Sequence, residues 1–450
     1  MTDTIFALAT PAGQSAIALF RLSGTKAYEI AEKLSGKLLS HRQLTPCLLK
    51  DEAGALLDDV MMVYLQAPAT PTGEDVVEIH CHGSLSVVGA ISDYLSRADG
   101  VRPAMAGEFT KRAFDNGKMD LTEVEGLADL IEAQTQSQRR QALGQLKGVM
   151  RKKATRWRAE IIQLSARLES VIDFSDEDLP ESVLQEVRAK RDDLIAALRA
   201  VLDDEGRGEI IRNGLRVALL GPVNAGKSTA LNALAGREAA IVSDEAGTTR
   251  DIVEVRLDLD GITVVLQDTA GIRDKAGHVE SIGIARAKDA ASQADLVVLM
   301  ADGSKKGWQK QADALRASLA EEVSCPVIKI VNKADKMPDK MAEGEADGAY
   351  MPLTLHKAED VQRLEEALLA YCKPLNLSSE QPFITRDRHR LLVTKALEAL
   401  TASYDVALDE APELVAEDLR VAADALGQMT GHIDVEDILS DIFSSFCIGK

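Results

Sequence analysis

Gly221-Pro222-Val223-Asn224-Ala225-Gly226-Lys227-Ser228 follows the apolar run Leu215 to Leu220 and precedes the helix-like pattern Thr229 to Leu234. The octet fits G-x-x-x-x-G-K-[S/T] in the strand, loop and helix context that gives this motif its meaning. Its glycines let backbone N–H groups approach a phosphate at a helix N-terminus, where the helix dipole also favours an anion. In that arrangement the Lys227 ammonium meets the β- and γ-phosphates and the Ser228 hydroxyl binds Mg²⁺. This reading sets the fold of the chain's middle. Leu215 to Leu220, Val253 to Leu259, Ile262 to Gln267, Leu296 to Met300 and Val327 to Val331 are short apolar runs alternating with helical patterns, and they predict a nucleotide-binding parallel sheet.

Two further tetrads fall at strand ends. Asp268-Thr269-Ala270-Gly271 offers a carboxylate to the Mg²⁺ shell and a glycine amide to the γ-phosphate. Asn332-Lys333-Ala334-Asp335 places an Asp that accepts both guanine N1–H and the exocyclic amine, whereas adenine would leave it unpaired. The order and spacing resemble the Ras-like translation-factor GTPases. That resemblance makes Gly247-Thr248-Thr249-Arg250-Asp251 the first switch, with Thr249 completing the Mg²⁺ shell begun by Ser228 and Asp268. The later guanine-side loop departs from Ser-Ala-Lys, reading Leu353-Thr354-Leu355-His356-Lys357. Ile272 stands where many GTPases carry a water-positioning Gln, so another polar group or a cation must serve. Asn224 in the phosphate loop can ligate a monovalent ion whose charge acts beside the phosphates.

Outward from this module the texture changes. Leu121, Val124, Leu127, Leu130 and Ile131, then Leu143, Leu146, Met150, Ile161, Leu164, Leu168 and Val171, recur at three-and-four spacing, as do Leu391, Leu392, Ala396, Leu397 and Leu400 beyond Pro374. These segments predict helices that flank an inserted α/β module. Residues 1–118 mix strand-like runs (Ile17 to Leu22, Val60 to Leu65, Val76 to His80) with helical pieces and Gly/Pro turns, the pattern of an α+β domain. The expected architecture is therefore multidomain: an α+β N-terminal domain (1–118), a helical bundle in two parts (119–212 and 375–450) and an inserted Ras-like α/β G domain (213–374).

The 450 residues carry 52 Lys plus Arg against 72 Asp plus Glu, a net charge of −20, with 46% hydrophobic and 4% aromatic residues. That balance excludes disorder and a surface wholly dedicated to nucleic acid, though a local basic patch remains compatible. Met1 to Gly13 does not read as a secretory signal, and no apolar stretch is long enough for a bilayer. The five cysteines (Cys47, Cys81, Cys325, Cys372, Cys447) show neither paired metal spacing nor a disulfide framework. A reduced, cytoplasmic protein is expected.

A set of motifs spanning the chain narrows the assignment: Ala9-Thr10-Pro11 with Gly13; Phe20-Arg21-Leu22-Ser23-Gly24; Thr72-Gly73-Glu74-Asp75-Val76-Val77-Glu78; Gly107-Glu108-Phe109-Thr110-Lys111-Arg112-Ala113-Phe114; Asn116-Gly117-Lys118-Met119-Asp120-Leu121; and the terminal Phe446-Cys447-Ile448-Gly449-Lys450. With the central motifs, they resemble the MnmE (TrmE) family of tRNA-modifying GTPases over essentially the whole sequence. Gln14, Ala106 and the Pro222-Val223 order depart from the family pattern, and none removes a phosphate or Mg²⁺ ligand.

The resemblance implies a homodimer joined through the N-terminal domains, each binding 5,10-methylene- or 5-formyl-tetrahydrofolate at Arg21, Glu78 and Lys118 with Lys450 nearby. Arg21 and Lys118 suit an anionic glutamate tail, and Glu78 can accept from the pterin's amino-pyrimidine edge; taken singly, each reads more readily as a surface or ion-pair residue. It also implies K⁺-activated hydrolysis of GTP, with Asn224, the Ser243 and Glu245 carbonyls and Thr248 around K⁺, and Glu280 orienting the attacking water. The nucleotide-contacting set is then Asn224, Ala225, Gly226, Lys227, Ser228 and Thr229; Ser243, Asp244, Glu245, Ala246, Gly247, Thr248 and Thr249; Asp268, Thr269, Ala270 and Gly271; and Asn332, Lys333, Ala334 and Asp335. Asn224, Lys227, Glu280 and Cys447 are the expected catalytic residues, with Cys447 equally readable as a small buried interface residue. Similar proteins act with an FAD-binding MnmG subunit, in a heterotetramer or larger complex, to add an aminomethyl or carboxymethylaminomethyl group to a tRNA wobble uridine. A rival reading is a GTP-switched regulator of ribosome assembly without one-carbon chemistry.

Two features stay open. Glu78, His80 and His82 share a strand face and suit hydrogen bonding near the folate pocket better than a metal, for want of further ligands. Arg139, Arg140, Lys147, Arg151, Lys152, Lys153, Arg156 and Arg158 gather positive charge that fits a tRNA-facing patch, a solvated helix face or a partner-docking surface.

Overall fold

The computed structural model describes residues 3–51, 53–173, 181–204, 206–236, 240–241, 253–268, 288–318, 325–337, 350–373, 384–404, 411–431, 433, 439, 442–444, 446 and 448–449. They form two compact units, one of residues 1–128, 145–184 and 402–450 and the other of 129–144 and 185–401. The residues expected as one helical domain are thus shared out between the two units.

In the first unit, six strands, β1 (Thr4–Leu8), β2 (Ser15–Ser23), β3 (Thr45–Lys50), β4 (Leu56–Leu65), β5 (Val76–Gly83) and β6 (Val101–Pro103), lie in the order β3-β4-β5-β2-β1-β6. Only β6 runs parallel to its neighbour β1; the other pairs are antiparallel. Alternation sorts the two faces. Ala18, Phe20 and Leu22 of β2 and Val77, Ile79 and Cys81 of β5 enter a core closed by helices α1 (Ala27–Ser35) and α2 (Leu85–Arg97). Arg21 and Glu78 therefore lie on the opposite face, where Ile5, Ala7, Ala104 and Phe109 pack as a second cluster under helix α3 (Glu108–Asp115).

Helix α4 (Leu121–Glu132) opens with a reciprocal cap: Asp120 Oδ1 accepts from the Glu123 N–H at 2.9 Å and Glu123 Oε2 from the Asp120 N–H at 3.0 Å. After α5 (Gln136–Leu146), the 25-residue helix α6 (Val149–Asp173) buries Met150, Ile161, Leu164 and Leu168, periodic positions of the sequence, together with Ala154, and packs along Pro412–Thr430. Phe443 and Phe446 pack on Val124 and Phe114, bringing the chain's last described residues onto the N-terminal fold.

In the second unit, α7 (Glu181–Leu202, from residue 185) and α8 (Arg207–Asn213) lead into a seven-stranded sheet. Its strands are β7 (Leu215–Leu220), β8 (Ala240–Ile241), β9 (Val253–Leu259), β10 (Ile262–Asp268), β11 (Leu296–Asp302), β12 (Val327–Asn332) and β13 (Met351–Pro352), in the order β13-β12-β11-β7-β10-β9-β8. This sheet is not wholly parallel as expected, because β9 runs antiparallel to both β8 and β10. The cause is legible at Asp260-Gly261, a two-residue hairpin turn with φ of 56° and 83°, conformations that Asp and Gly tolerate best. The remaining pairs are parallel. Because β7 is flanked by β10 and β11, the chain reverses its direction of winding at the carboxyl end of β7, where open α/β sheets place their ligands.

Candidate functional site

Four strand ends converge there. β7 delivers Gly221, and a Cβ on that glycine would lie 2.3 Å from the Met300 carbonyl oxygen, so only glycine lets the loop pass β11. The loop turns through an Ala225 N–H to Pro222 O bond of 3.2 Å, with Asn224 held at φ 68°. Gly226, at φ 103°, caps α9 (Lys227–Ala235), and a Cβ there would sit 2.1 Å from Asn332 Nδ2. The two glycines let the loop pack directly against β11 and Asn332, and the loop leads straight into the N-terminus of α9, the helix end that favours an anion. Lys227 Nζ, nearly buried, donates to the Gly221 and Pro222 carbonyls at 2.7 and 3.2 Å, which curls the loop around the ammonium. Ser228 is exposed in the first turn of α9 and Thr229 is half-buried beside it. The glycine loop and the helix N-terminus behind it have the make-up of a phosphate-binding turn.

The base-side tetrad is tied into the same loop. Asn332, buried at the end of β12, donates from Nδ2 to the Ala225 carbonyl at 2.9 Å, while its Oδ1 accepts from the Lys333 and Leu355 N–H groups at 2.8 and 3.3 Å. Lys333 Nζ donates to the Asn224 carbonyl and to Asp302 Oδ2, each at 2.8 Å. Ala334 and Asp335 begin a 3₁₀ turn, anchored by Ala334 N–H to Leu353 O at 3.1 Å, and Asp335 is exposed. The atypical loop Leu353 to Lys357 still sits beside the tetrad: Leu353 bonds to Val331, Leu355 to Asn332, and Asp360 caps the Thr354 N–H at 2.7 Å. His356 is exposed at its tip.

Asp268 ends β10 in register with Leu219 of β7, two residues before Gly221 opens the loop. Asp302, which sequence reading missed, ends β11 opposite Asn332. Burial works to raise its carboxyl, but Lys333 and Ser304 more than offset this and hold it below the ordinary carboxylate range. Its signal was a polar residue closing an otherwise apolar strand, the position Asp268 and Asn332 occupy in theirs. Ser243, Asp244, Glu245, Ala246, Gly247, Thr248, Thr249, Thr269, Ala270, Gly271 and Glu280 lie outside the described residues, as do Cys447 and Lys450.

The first unit holds the other expected constellation. Arg21 and Glu78 are direct partners across β2 and β5, and Arg21 grips Glu78 Oε1 through Nε at 2.9 Å and Nη2 at 2.7 Å. Arg21 also lies 6.0 Å over the Phe109 ring, and Glu78 Oε2 faces His80 Nε2 at 4.0 Å. The two are thus an ion pair with each other, the plainer of the readings that the sequence allows for each. Two residues along β2, the Ser23 hydroxyl joins Thr72 and Glu74 at 2.7 Å. The same turn meets Lys118: a Cβ on Gly73 would lie 3.2 Å from Lys118 Cε, and Asn116 Nδ2 donates to Thr72 O at 2.7 Å. The turn is clamped from below by Arg112, 1% exposed, which donates to Glu74 Oε2 and Asp3 Oδ1 at 3.0 Å and Glu108 Oε1 at 3.2 Å. Arg112 was also missed, since a lone Arg on an amphipathic helix reads as surface. Ile448 bridges to Ala106, and Gly449 packs on Leu8 and Ala9, so the chain's end reaches the strand paired with Arg21. His82 bonds Asp58 at 2.8 Å, and among the described residues no group of His, Cys, Asp and Glu has metal-binding geometry.

Residues 4–118 match the model of the GTP-binding protein TrmE N-terminus, and residues 121–447 that of the MnmE helical domain. A tRNA modification GTPase MnmE of Rhodopseudomonas palustris is 45% identical over 449 residues, covering 100% of this chain and 99% of that protein. One of Caulobacter vibrioides is 47% identical over 457 residues, covering 100% of both. Among solved structures, Aquifex aeolicus Era bound to GDP·AlF4⁻ is 25% identical over 41% of this chain and 66% of that one, with a TM-score of 0.27.

Proposed function

Because the chain belongs to the MnmE family of tRNA modification GTPases, and so hydrolyses GTP in tRNA modification, we propose that its hydrolysis is K⁺-activated and serves a folate-dependent modification of wobble uridine. The observation that carries the nucleotide half is the lacing of the phosphate loop to the base-side tetrad, Asn332 to Ala225 and Lys333 to Asn224. It supports one rigid cradle that reads base and phosphates together.

In this reading Lys227 turns its ammonium from the loop carbonyls toward the β- and γ-phosphates, and Ser228, Asp268 and Thr249 would hold Mg²⁺, whose charge would offset that of the phosphoryl group. Asp335 selects guanine. Asn224, with Thr248 and the Ser243 and Glu245 carbonyls, holds K⁺, and Glu280 orients the attacking water. No membrane-spanning helix is found among the described residues.

For the folate half, Arg21 orients Glu78 so that Oε2 remains to accept from an amino-pyrimidine edge, and Arg21 and Lys118 would supply positive charge to the anionic tail, with Lys450 as a further candidate. The proximity of Ile448 and Gly449 to Ala106 and Leu8 supports a place for the terminal segment there. Assembly as a homodimer with an FAD-binding partner, and delivery of the one-carbon unit to tRNA, complete the proposal.

The test is GTP turnover in KCl and in NaCl at matched ionic strength, with tetrahydrofolate binding measured on the same preparation. Strong K⁺ selectivity and binding lost in Glu78→Ala are expected. Equal rates in the two salts overturn the ion assignment, and undiminished folate binding by Glu78→Ala overturns the pocket.

A further inference from the structure

The ammonium of Lys333 joins two parts of the nucleotide site, and what directs it is a residue outside the recognised motifs. Asp302 closes β11 with an exposure of 5%. Its Oδ1 is occupied by the Ser304 N–H at 3.1 Å and the Ser304 hydroxyl at 2.6 Å, which fixes the carboxylate plane and leaves Oδ2 for Lys333 Nζ at 2.8 Å. Lys333 spends a second proton on the Asn224 carbonyl at 2.8 Å. Both residues joined by this bond are in the left-handed region, Asn224 at φ 68° and Lys333 at φ 59°. That region is uncommon for non-glycine residues, more so for Lys333 than for Asn224, and the bond between the two helps hold both turns there. A lysine stem has several rotatable bonds, so without an anchor Nζ would sample solvent and release the carbonyl.

We propose that Asp302 is a positioning residue for GTP binding and hydrolysis: through Lys333 it holds the Asn224 carbonyl, and with it the strained turn of the phosphate loop, in the nucleotide-competent form. Asp302 touches neither phosphate nor base in this arrangement. It makes the base-side tetrad and the phosphate loop one mechanical piece, so that loosening it speeds release of GDP and GTP alike instead of changing the preference for guanine. The neighbouring tie, Asn332 Nδ2 to Ala225, does not involve Asp302 and is expected to remain when Asp302 is altered.

The test is a double-mutant cycle on the full chain, read by release of fluorescent GDP and GTP analogues. Asp302→Asn keeps the shape and removes the charge; losing one charge-assisted bond of about 1.5 kcal/mol predicts release roughly tenfold faster for both nucleotides. In a Lys333→Met background, the same change should alter release by less than about twofold, since its route of action is gone. A purely structural Asp302 would give the same factor in both backgrounds, and that result overturns the proposal, as does unchanged release in Asp302→Asn alone. If Asp302→Asn does not yield folded protein, Ser304→Ala frees the carboxylate more gently and should speed release about threefold in the parent and not in Lys333→Met. Release by Ser304→Ala equal to the parent's would then overturn it.

Discussion

Replacing Gly226 by alanine tests whether the cradle is as closely built as its geometry requires. The backbone at Gly226 has φ 103°, outside the regions open to L side chains, which costs alanine about 1–3 kcal/mol. The new methyl would also lie 2.1 Å from Asn332 Nδ2, well inside contact, so one of them must move. Asn332 cannot swing aside freely: it is 4% exposed and its Oδ1 is held by two backbone N–H groups. Displacing its amide breaks the bond to the Ala225 carbonyl and leaves buried polar groups unpaired, worth about 1–3 kcal/mol. Together these come to about 2–6 kcal/mol. That energy must be expressed somewhere. If the unliganded loop relaxes, nucleotide binding bears the cost and affinity for GDP falls at least about thirtyfold; if it does not relax, the second unit melts earlier. Titration with a fluorescent GDP analogue and a thermal melt of the same preparation read both channels. A variant that binds within about threefold of the parent and melts at the same temperature would refute the reasoning, because neither strain nor collision would then exist.

Three further outcomes follow from the charge networks. Arg112→Met leaves the carboxylates of Asp3, Glu74 and Glu108 without their buried cation and should destabilise the first unit by about 3–5 kcal/mol in urea unfolding. Burial works to raise the carboxyls of Asp3 and Glu108, yet Arg102 and Arg112 outweigh it and hold both below their ordinary values; their stabilisation is therefore complete above the unfolded-state values of 3.8 and 4.5 and is lost as pH falls through the lower folded-state values. Arg102→Met should flatten the acid limb of a stability-against-pH curve, and an unchanged limb would discount the network. Asp129 Oδ1 accepts from Arg212 Nε at 2.9 Å and Arg386 Nη2 at 2.7 Å, so Asp129→Ala should lower the unfolding midpoint of the second unit more than Asp129→Asn, which keeps an acceptor.

Much of this was legible in the sequence because local rules and tertiary structure agree. Leu215 to Leu220 is buried except for Arg216, and the loop after it turns where its glycines allow. Of the periodic positions, Leu121, Val124, Met150, Ile161, Leu164 and Leu168 are buried, Leu127, Leu130, Leu143 and Leu146 are half-buried, and Ile131 is exposed. What escaped was pairing direction: Val253 to Leu259 and Ile262 to Gln267 read as parallel strands because apolar runs carry no orientation, while the deciding signal was confined to Asp260-Gly261. The division of the helices between two units was likewise illegible, since periodicity states which face is buried and not against what.

The site shows the same limit in sharper form. Motif spacing identified Asn332 and Lys333 by what they offer a nucleotide, yet their described bonds are to the protein itself, to Ala225, Asn224 and Asp302. Arg21 and Glu78 were each assigned a ligand atom, yet they meet first each other. In both places the side chain that would touch the ligand is oriented by an oppositely charged or polar partner far away in the chain: 31 residues separate Lys333 from Asp302, and 57 separate Arg21 from Glu78. Asp302 carries no motif because it needs only the right charge at the right strand end. Strand register supplies the position, through Asp302 opposite Asn332 and Arg21 opposite Glu78. A reading that pairs strands before assigning ligands would find these residues, because a charged side chain entering a half-buried sheet face must meet its counter-charge there or lose several kcal/mol of solvation.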